Sequence, residues 1–200
     1  MHLPLPRPLV LGSTSVYRRQ LLERLGLPFT VAAPGVDETP QPDEAPAALA
    51  ARLALAKARA VAAQFPGSIV IGCDQVADLN GESLGKPGDH ARATAQLRRM
   101  RGQTVIFQTA MAVVCHDTGF CSETLAQVRV KYRDLSDQEI EFYLRAEQPY
   151  DCAGSCKSEG LGIALLHSIE NDDPTSLVGL PLIRLSSMLR AAGLPLLGGA

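Results

Sequence analysis

Residues 68–87 read "SIVIGCDQVADLNGESLGKP". An apolar run, an Asn-Gly pair and a shorter returning segment signal a strand, a tight turn and an antiparallel partner. The hairpin falls between two helical stretches, the alanine-rich segment 45–65 and residues 88–101. No other feature constrains the fold as much. Strands joined through helices pair in parallel, whereas a hairpin imposes an antiparallel pair. One sheet holding both is mixed, and the chain is α/β.

The remaining segments extend this pattern. "PLVLG" at 8–12 is a short buried strand. Ser13, Thr14 or Ser15 then caps a helix with Leu21, Leu22 and Leu25 facing inward and Gly26 as its stop. "PFTVAAP" at 28–34 is a second strand, and "GVDETPQPDEAP", rich in proline and acid, is a loop. Two long strands around 103–116 and 122–132 join through "HDTG". Ser136 with Glu139 makes a capping box that opens another helix. "YDCAGSCKSEGLG" is irregular, "IALLHSIE" is a late strand and "LPLIRLSSMLRAAG" a closing helix. The N-terminal tail and the final "LPLLGGA" are expected to fray. With neither a repeat nor a long linker, the 200 residues form a single domain, in two lobes.

Composition excludes several classes of function. A formal charge of −2 offers no platform for nucleic acid. No window approaches the roughly 20 apolar residues that span a bilayer, and "MHLPLPRPLVLG" does not read as a signal peptide. Five cysteines without a C-x-x-C pair suit reduced thiols in the cytoplasm rather than disulfides or zinc.

Asp74 follows the apolar "IVIGC", so its carboxylate emerges near the buried end of a strand. Burying it unpaired is costly, so cations, donors or a metal must meet it. It is either a cap on a turn or a general base or metal ligand. Gln75 faces the other side of a regular strand and would enter a cleft at a bulge. Glu38, beside Asp37 in "VDETP", is either part of a solvated turn or, close to Asp74, part of an oxygen-rich site for Mg²⁺ or Mn²⁺.

Lys57 on its alanine–leucine helix reads as a snorkelling surface lysine. Lys86 in "LGKP", ahead of a proline that keeps the backbone extended, is a candidate for binding an anion. At the first helix, small residues from Ser13 onward let an anion approach the terminal amides, and Arg18 adds a phosphate fork. An ordinary N-cap with solvated arginines explains that helix equally well. Glu159 lies in "AGSCKSEGLG", a loop shaped for a ligand or a flexible connector. Neither a P-loop, a G-x-G-x-x-G turn nor a nucleophilic triad is present.

Taken in order, "STSVYRRQLLERLGLPF", "VDETP", "LAKA", "IGCDQV", "GKP", "AGSCKSEGLG" and "LVGLPL" resemble the successive motifs of the Maf family, septum-formation-inhibitor-like nucleotide pyrophosphatases. The similarity covers nearly the whole chain. It implies a two-lobed fold with a curved mixed central sheet flanked by helices and a cleft between the lobes, related to inosine-triphosphate pyrophosphatases. It also implies hydrolysis of a nucleoside triphosphate to monophosphate and pyrophosphate with a divalent metal, Mg or Mn. A homodimer is a further expectation, without nucleic-acid or membrane partners.

By this resemblance Asp74 is the proton acceptor, Ser13, Arg18, Lys57 and Lys86 bind substrate, and Glu38 joins Asp74 on the metal. Tyr17, Gln75 and Glu159 occupy the positions that separate the family's substrate branches, and are similar to the branch acting on 7-methyl-GTP. The dTTP/UTP branch typically has arginine, threonine and glutamine there. N7 methylation makes guanine cationic, which suits an aromatic face and a carboxylate. The alternatives are dTTP/UTP hydrolysis and a non-catalytic nucleotide-binding regulator of cell division. Val16, Cys156 and Ala56 depart from the family pattern, Ala56 standing where a glutamate is usual.

Overall fold

A computed structural model describes residues 5–197. Its strands are β1 (Leu9–Gly12), β2 (Thr30–Val31), β3 (Ile69–Leu79), β4 (Glu82–Leu84), β5 (Thr104–Cys115), β6 (Phe120–Tyr132) and β7 (Leu166–Glu170). The helices are α1 (Val16–Glu23), α2 (Pro46–Ala62), α3 (His90–Met100), α4 (Asp137–Glu147) and α5 (Leu182–Ala191).

The strands form one mixed sheet in the order β2-β1-β3-β5-β6-β7, with β4 added to β3. β1 pairs in parallel with β2 and β3, and the later pairs are antiparallel. The Asn80–Gly81 turn supplies the change of direction. Both residues have positive φ, 55° and 88°, as a two-residue hairpin of matching twist requires.

β1 and β4 share one edge of β3 without meeting. β1 covers residues 69–72 and β4 covers residues 77–79. Between them the edge of β3 at residues 73–76 has no strand partner among the described residues.

Two apolar cores lie along this central strand. Ile69, Ile71 and Cys73 pack with α1 and α5, while Ala77 and Leu79 pack with α3 and α4. Gln75 falls between the two. On the opposite face α2 packs against Val70 and Val76. Its backbone approaches so closely that a Cβ at Gly72 would lie 2.3 Å from the Ala54 carbonyl oxygen and 2.4 Å from the Ala58 nitrogen. Glycine at 72 and the small residues of α2 thus set the height of the helix above the sheet.

Some local expectations need correction. The second strand is only Thr30–Val31, an exposed edge paired at Val10 and Leu11. Residues 163–165 form a 3₁₀ turn, and the late strand begins at Leu166. The fraying expected from residue 194 does not begin there: Leu194 is packed in the α1–α5 core. Residues 1–4 and 198–200, for which fraying was also expected, lie outside the described residues.

Candidate active site

The gap in the edge of β3 opens into a cavity of about 1000 Å³. Ser13, Tyr17, Arg18, Glu38, Lys57, Asp74, Gln75, Lys86 and Glu159 all line it. They come from the end of β1, the start of α1, the acidic loop, α2, β3, the segment after β4 and the glycine-rich segment.

Asp74 and Lys57 form the floor. α2 seated on Gly72 brings the Lys57 ammonium to 2.7 Å from Asp74 Oδ1 and 2.9 Å from Glu38 Oε1. The surface reading of Lys57 is therefore overturned: the residue is only 5% exposed. Its ammonium is paired with two carboxylates instead of reaching solvent. Asp74 is likewise buried and bonded to a cation rather than capping a turn. Burial raises its pKa above the usual aspartate value, Lys57 and Arg18 pull it down, and Glu38 adds to the rise. The net displacement is upward, the direction that makes a carboxylate a stronger proton acceptor.

Arg18 is held by main chain. Its Nε donates to Gly179 O at 3.0 Å, and its Nη1 donates to Cys73 O at 3.0 Å. The second of these bonds satisfies a carbonyl on the open edge of β3. A longer contact of 3.4 Å runs from Nη1 to Ser13 Oγ. Ser15, not Ser13, caps α1, accepting from Arg18 N at 3.4 Å. Lys86 is exposed on the rim.

Gln75 enters the cavity without a bulge, because the β3–β5 register runs unbroken from Val70 to Asp78. Its amide nitrogen contacts Thr109 Oγ1 at 2.9 Å, Ser176 O at 3.1 Å and Leu177 O at 3.0 Å. The side chain is thereby oriented nitrogen inward to protein. Its oxygen has no protein donor among the described residues. Tyr17 is half-buried, and burial raises its phenol pKa. The Cys152 thiol donates to Tyr17 Oη at 3.8 Å, and burial pushes that thiol up to about 12. Glu159 is exposed at the mouth.

The donor set suits a divalent cation of the Mg²⁺ type. Such ions are commonly held by one or two carboxylates, the rest of the shell being water and substrate phosphate. Asp74 and Glu38 each keep a second oxygen without a donor among the described residues. No group of three or more metal-ligating side chains occurs among those residues. Ala56 does not line the cavity.

Several contributors were not anticipated from sequence. Thr109 and the Ser176–Leu177 carbonyls orient Gln75 across a separation of 34 to 102 residues; the motif "LVGLPL" begins at Leu177, but nothing local gives its contact with Gln75. Cys152, read from sequence only as one of five reduced thiols, also lines the cavity.

A mixed sheet whose interrupted edge gathers cations around a buried aspartate defines a binding cleft suited to a polyphosphate. The family model for Maf-like protein matches residues 8–192, and the chain belongs to the Maf family. It is 72% identical over 193 residues to the 7-methyl-GTP pyrophosphatase of Polaromonas sp., covering 96% of this chain and 88% of the relative. The 7-methyl-GTP pyrophosphatase of Albidiferax ferrireducens is 68% identical over 195 residues, 98% of each chain. The protein of that name in Aromatoleum aromaticum is 62% identical over 186 residues, 93% of this chain and 96% of its own. No helix among the described residues is long and apolar enough to cross a membrane.

Proposed function

We propose that this chain hydrolyses 7-methyl-GTP to 7-methyl-GMP and pyrophosphate, acting as a cytoplasmic enzyme on a free nucleotide. The observation that carries the reading is the buried Asp74 carboxylate, 2.7 Å from Lys57, at the floor of a cavity it shares with Arg18 and Lys86. The names of relatives up to 72% identical support the same substrate.

In the reaction, water attacks the α-phosphorus in line with the bond to the β-phosphate bridging oxygen. The new oxygen–phosphorus bond forms as that bridging bond breaks and pyrophosphate leaves. Asp74 takes the proton of the attacking water. Lys57 holds Asp74 ionised and balances charge near the reacting phosphorus. Arg18, Ser13 and Lys86 bind the phosphate oxygens and offset the charge building on the leaving group. Glu38 and Asp74 would hold the Mg²⁺ or Mn²⁺, which when bound polarises phosphate oxygens and acidifies water.

At the other end, the Tyr17 ring faces the methylated, cationic base, and Glu159 adds a carboxylate at the mouth. The free oxygen of Gln75 accepts from the guanine amino or imino group.

Pyrophosphate release across 7-methyl-GTP, GTP, dTTP and UTP, with Mg²⁺ or Mn²⁺ titrated, tests the reading. The expected result is fastest turnover of 7-methyl-GTP with equimolar monophosphate. Preference for dTTP or UTP overturns the substrate assignment, and binding without hydrolysis overturns the enzyme.

A further inference from the structure

Glu38 reaches the cavity from a loop that has little regular structure of its own. Residues 35–45 carry prolines at 40 and 42 and no strand or helix. Within the loop, Asp37 Oδ1 accepts from Thr39 N at 2.9 Å and from Thr39 Oγ1 at 2.7 Å, a local turn that bends the chain around Glu38. That turn does not attach the loop to the rest of the protein.

The attachment comes from Arg52 on α2. Its Nε donates to Glu44 Oε1 at 2.6 Å, and its Nη2 donates to Glu44 Oε2 at 2.7 Å. The same Nη2 donates to Thr39 O at 3.2 Å, one peptide from Glu38. Glu44 also accepts from Gln41 N at 2.9 Å. Its side chain is only 8% exposed, unlike the carboxylates of most surface pairs. Arg52 draws the Glu44 carboxyl down to about 2, so the pair stays charged at neutral pH. Five residues further along the same helix stands Lys57, the cation that Glu38 contacts.

We propose that Arg52 and Glu44 are positioning residues. Their two-pronged pair holds the acidic loop against α2, and so keeps the Glu38 carboxylate on the Lys57 ammonium beside Asp74. Neither residue lines the cavity. Both act through Glu38, and their kinetic consequence rests on the pyrophosphatase reading above.

The test uses Arg52→Lys, which keeps the charge and loses the planar fork, and Glu44→Gln as an independent variant. In ligand-free protein, amide hydrogen exchange across residues 36–44 should quicken about ten-fold in both variants, with β3 and β5 unchanged. With 7-methyl-GTP and Mg²⁺, each variant should lower kcat roughly five- to fifty-fold and move KM by less than about threefold. In a Glu38→Gln background the additional loss from Arg52→Lys should vanish, because coupled residues are not additive.

Unchanged exchange across 36–44 overturns the proposal. So does a loss of kcat that persists undiminished in the Glu38→Gln background. Wild-type protein that releases no pyrophosphate from any nucleotide sinks the catalytic reading instead, while the exchange experiment still decides whether the pair holds the loop.

Discussion

At the floor of the cavity, Asp74 and Lys57 project from β3 and α2, two regular elements in backbone contact at Gly72. At the mouth, Cys152 and Glu159 project from a segment built of turns, in which Gly154 and Ser155 both take positive φ, 62° and 53°. The floor is fixed by sheet register and helix packing. The mouth is fixed by side chains reaching out from α4: Tyr143 Oη donates to Ser155 O at 3.1 Å and accepts from Lys157 N at 3.0 Å. Glu147 also accepts from Leu161 N at 2.9 Å. A geometry set by regular elements tolerates little change, whereas one set by a few side chains can be altered locally. On the reading proposed above, Asp74 and Lys57 of the floor act on the phosphates, while Glu159 of the mouth acts on the base together with Tyr17 of α1 and Gln75 of β3.

Five experiments put that difference to the test. Asp74→Asn should fold normally and lose on the order of 10² to 10⁴ in kcat. In the unsubstituted protein kcat/KM should fall on acidification, and because the Asp74 pKa is raised, the fall should begin at higher pH than for an ordinary aspartate. A midpoint at or below the ordinary value would remove Asp74 as the base.

Lys57→Met leaves a buried carboxylate without its ammonium, and denaturant unfolding should register a loss of about 3–5 kcal/mol. Adding Asp74→Asn to it should recover part of that loss, since the uncompensated charge is gone. If the double variant is no more stable than the single one, the floor is not held by this pair.

Changes around the base should be smaller and selective. Tyr17→Leu should lower kcat/KM for 7-methyl-GTP by roughly 2- to 30-fold, the range of a cation–π contact, and affect unmethylated GTP less. Equal losses on both nucleotides would take the ring away from the methylated base.

The smallest effect concerns Cys152. With its thiol pushed up to about 12, alkylation near neutral pH should be slow and should quicken about tenfold per pH unit until that range is reached. Mass spectrometry of the labelled peptide checks this. Bound nucleotide should slow the labelling further.

Much of the fold was legible because its signals are local. Asn80–Gly81 specifies its own turn, and Ser136 with Glu139 forms both bonds of the expected capping box. The order of strands and helices followed from such punctuation. The two-residue β2 was not legible, since its length depends on how far β1 extends beside it.

The site divides in the same way. Sequence motifs named nine residues that line one cavity, but not how they are held. A lysine among alanines looks like a surface residue until Asp74 and Glu38 close on it from segments distant in the chain. Gln75 seemed to require a bulge because it alternates with Asp74 along the strand, whereas its actual anchors, Ser176 and Leu177, lie about a hundred positions away. Polar pairing across the fold, ionic at Lys57 and hydrogen-bonded at Gln75, decided both cases, and hydrophobic periodicity carries no trace of it.

The interruption between β1 and β4 has a consequence for how such a protein can change. A few added strand residues at the end of either one would zip the free margin of β3 shut with main-chain hydrogen bonds. The sheet would become more continuous and its doorway would disappear. Insertions that lengthen these two strands should therefore be tolerated as folds and silent as enzymes, whereas insertions in the outer turns can reshape the entrance without closing it.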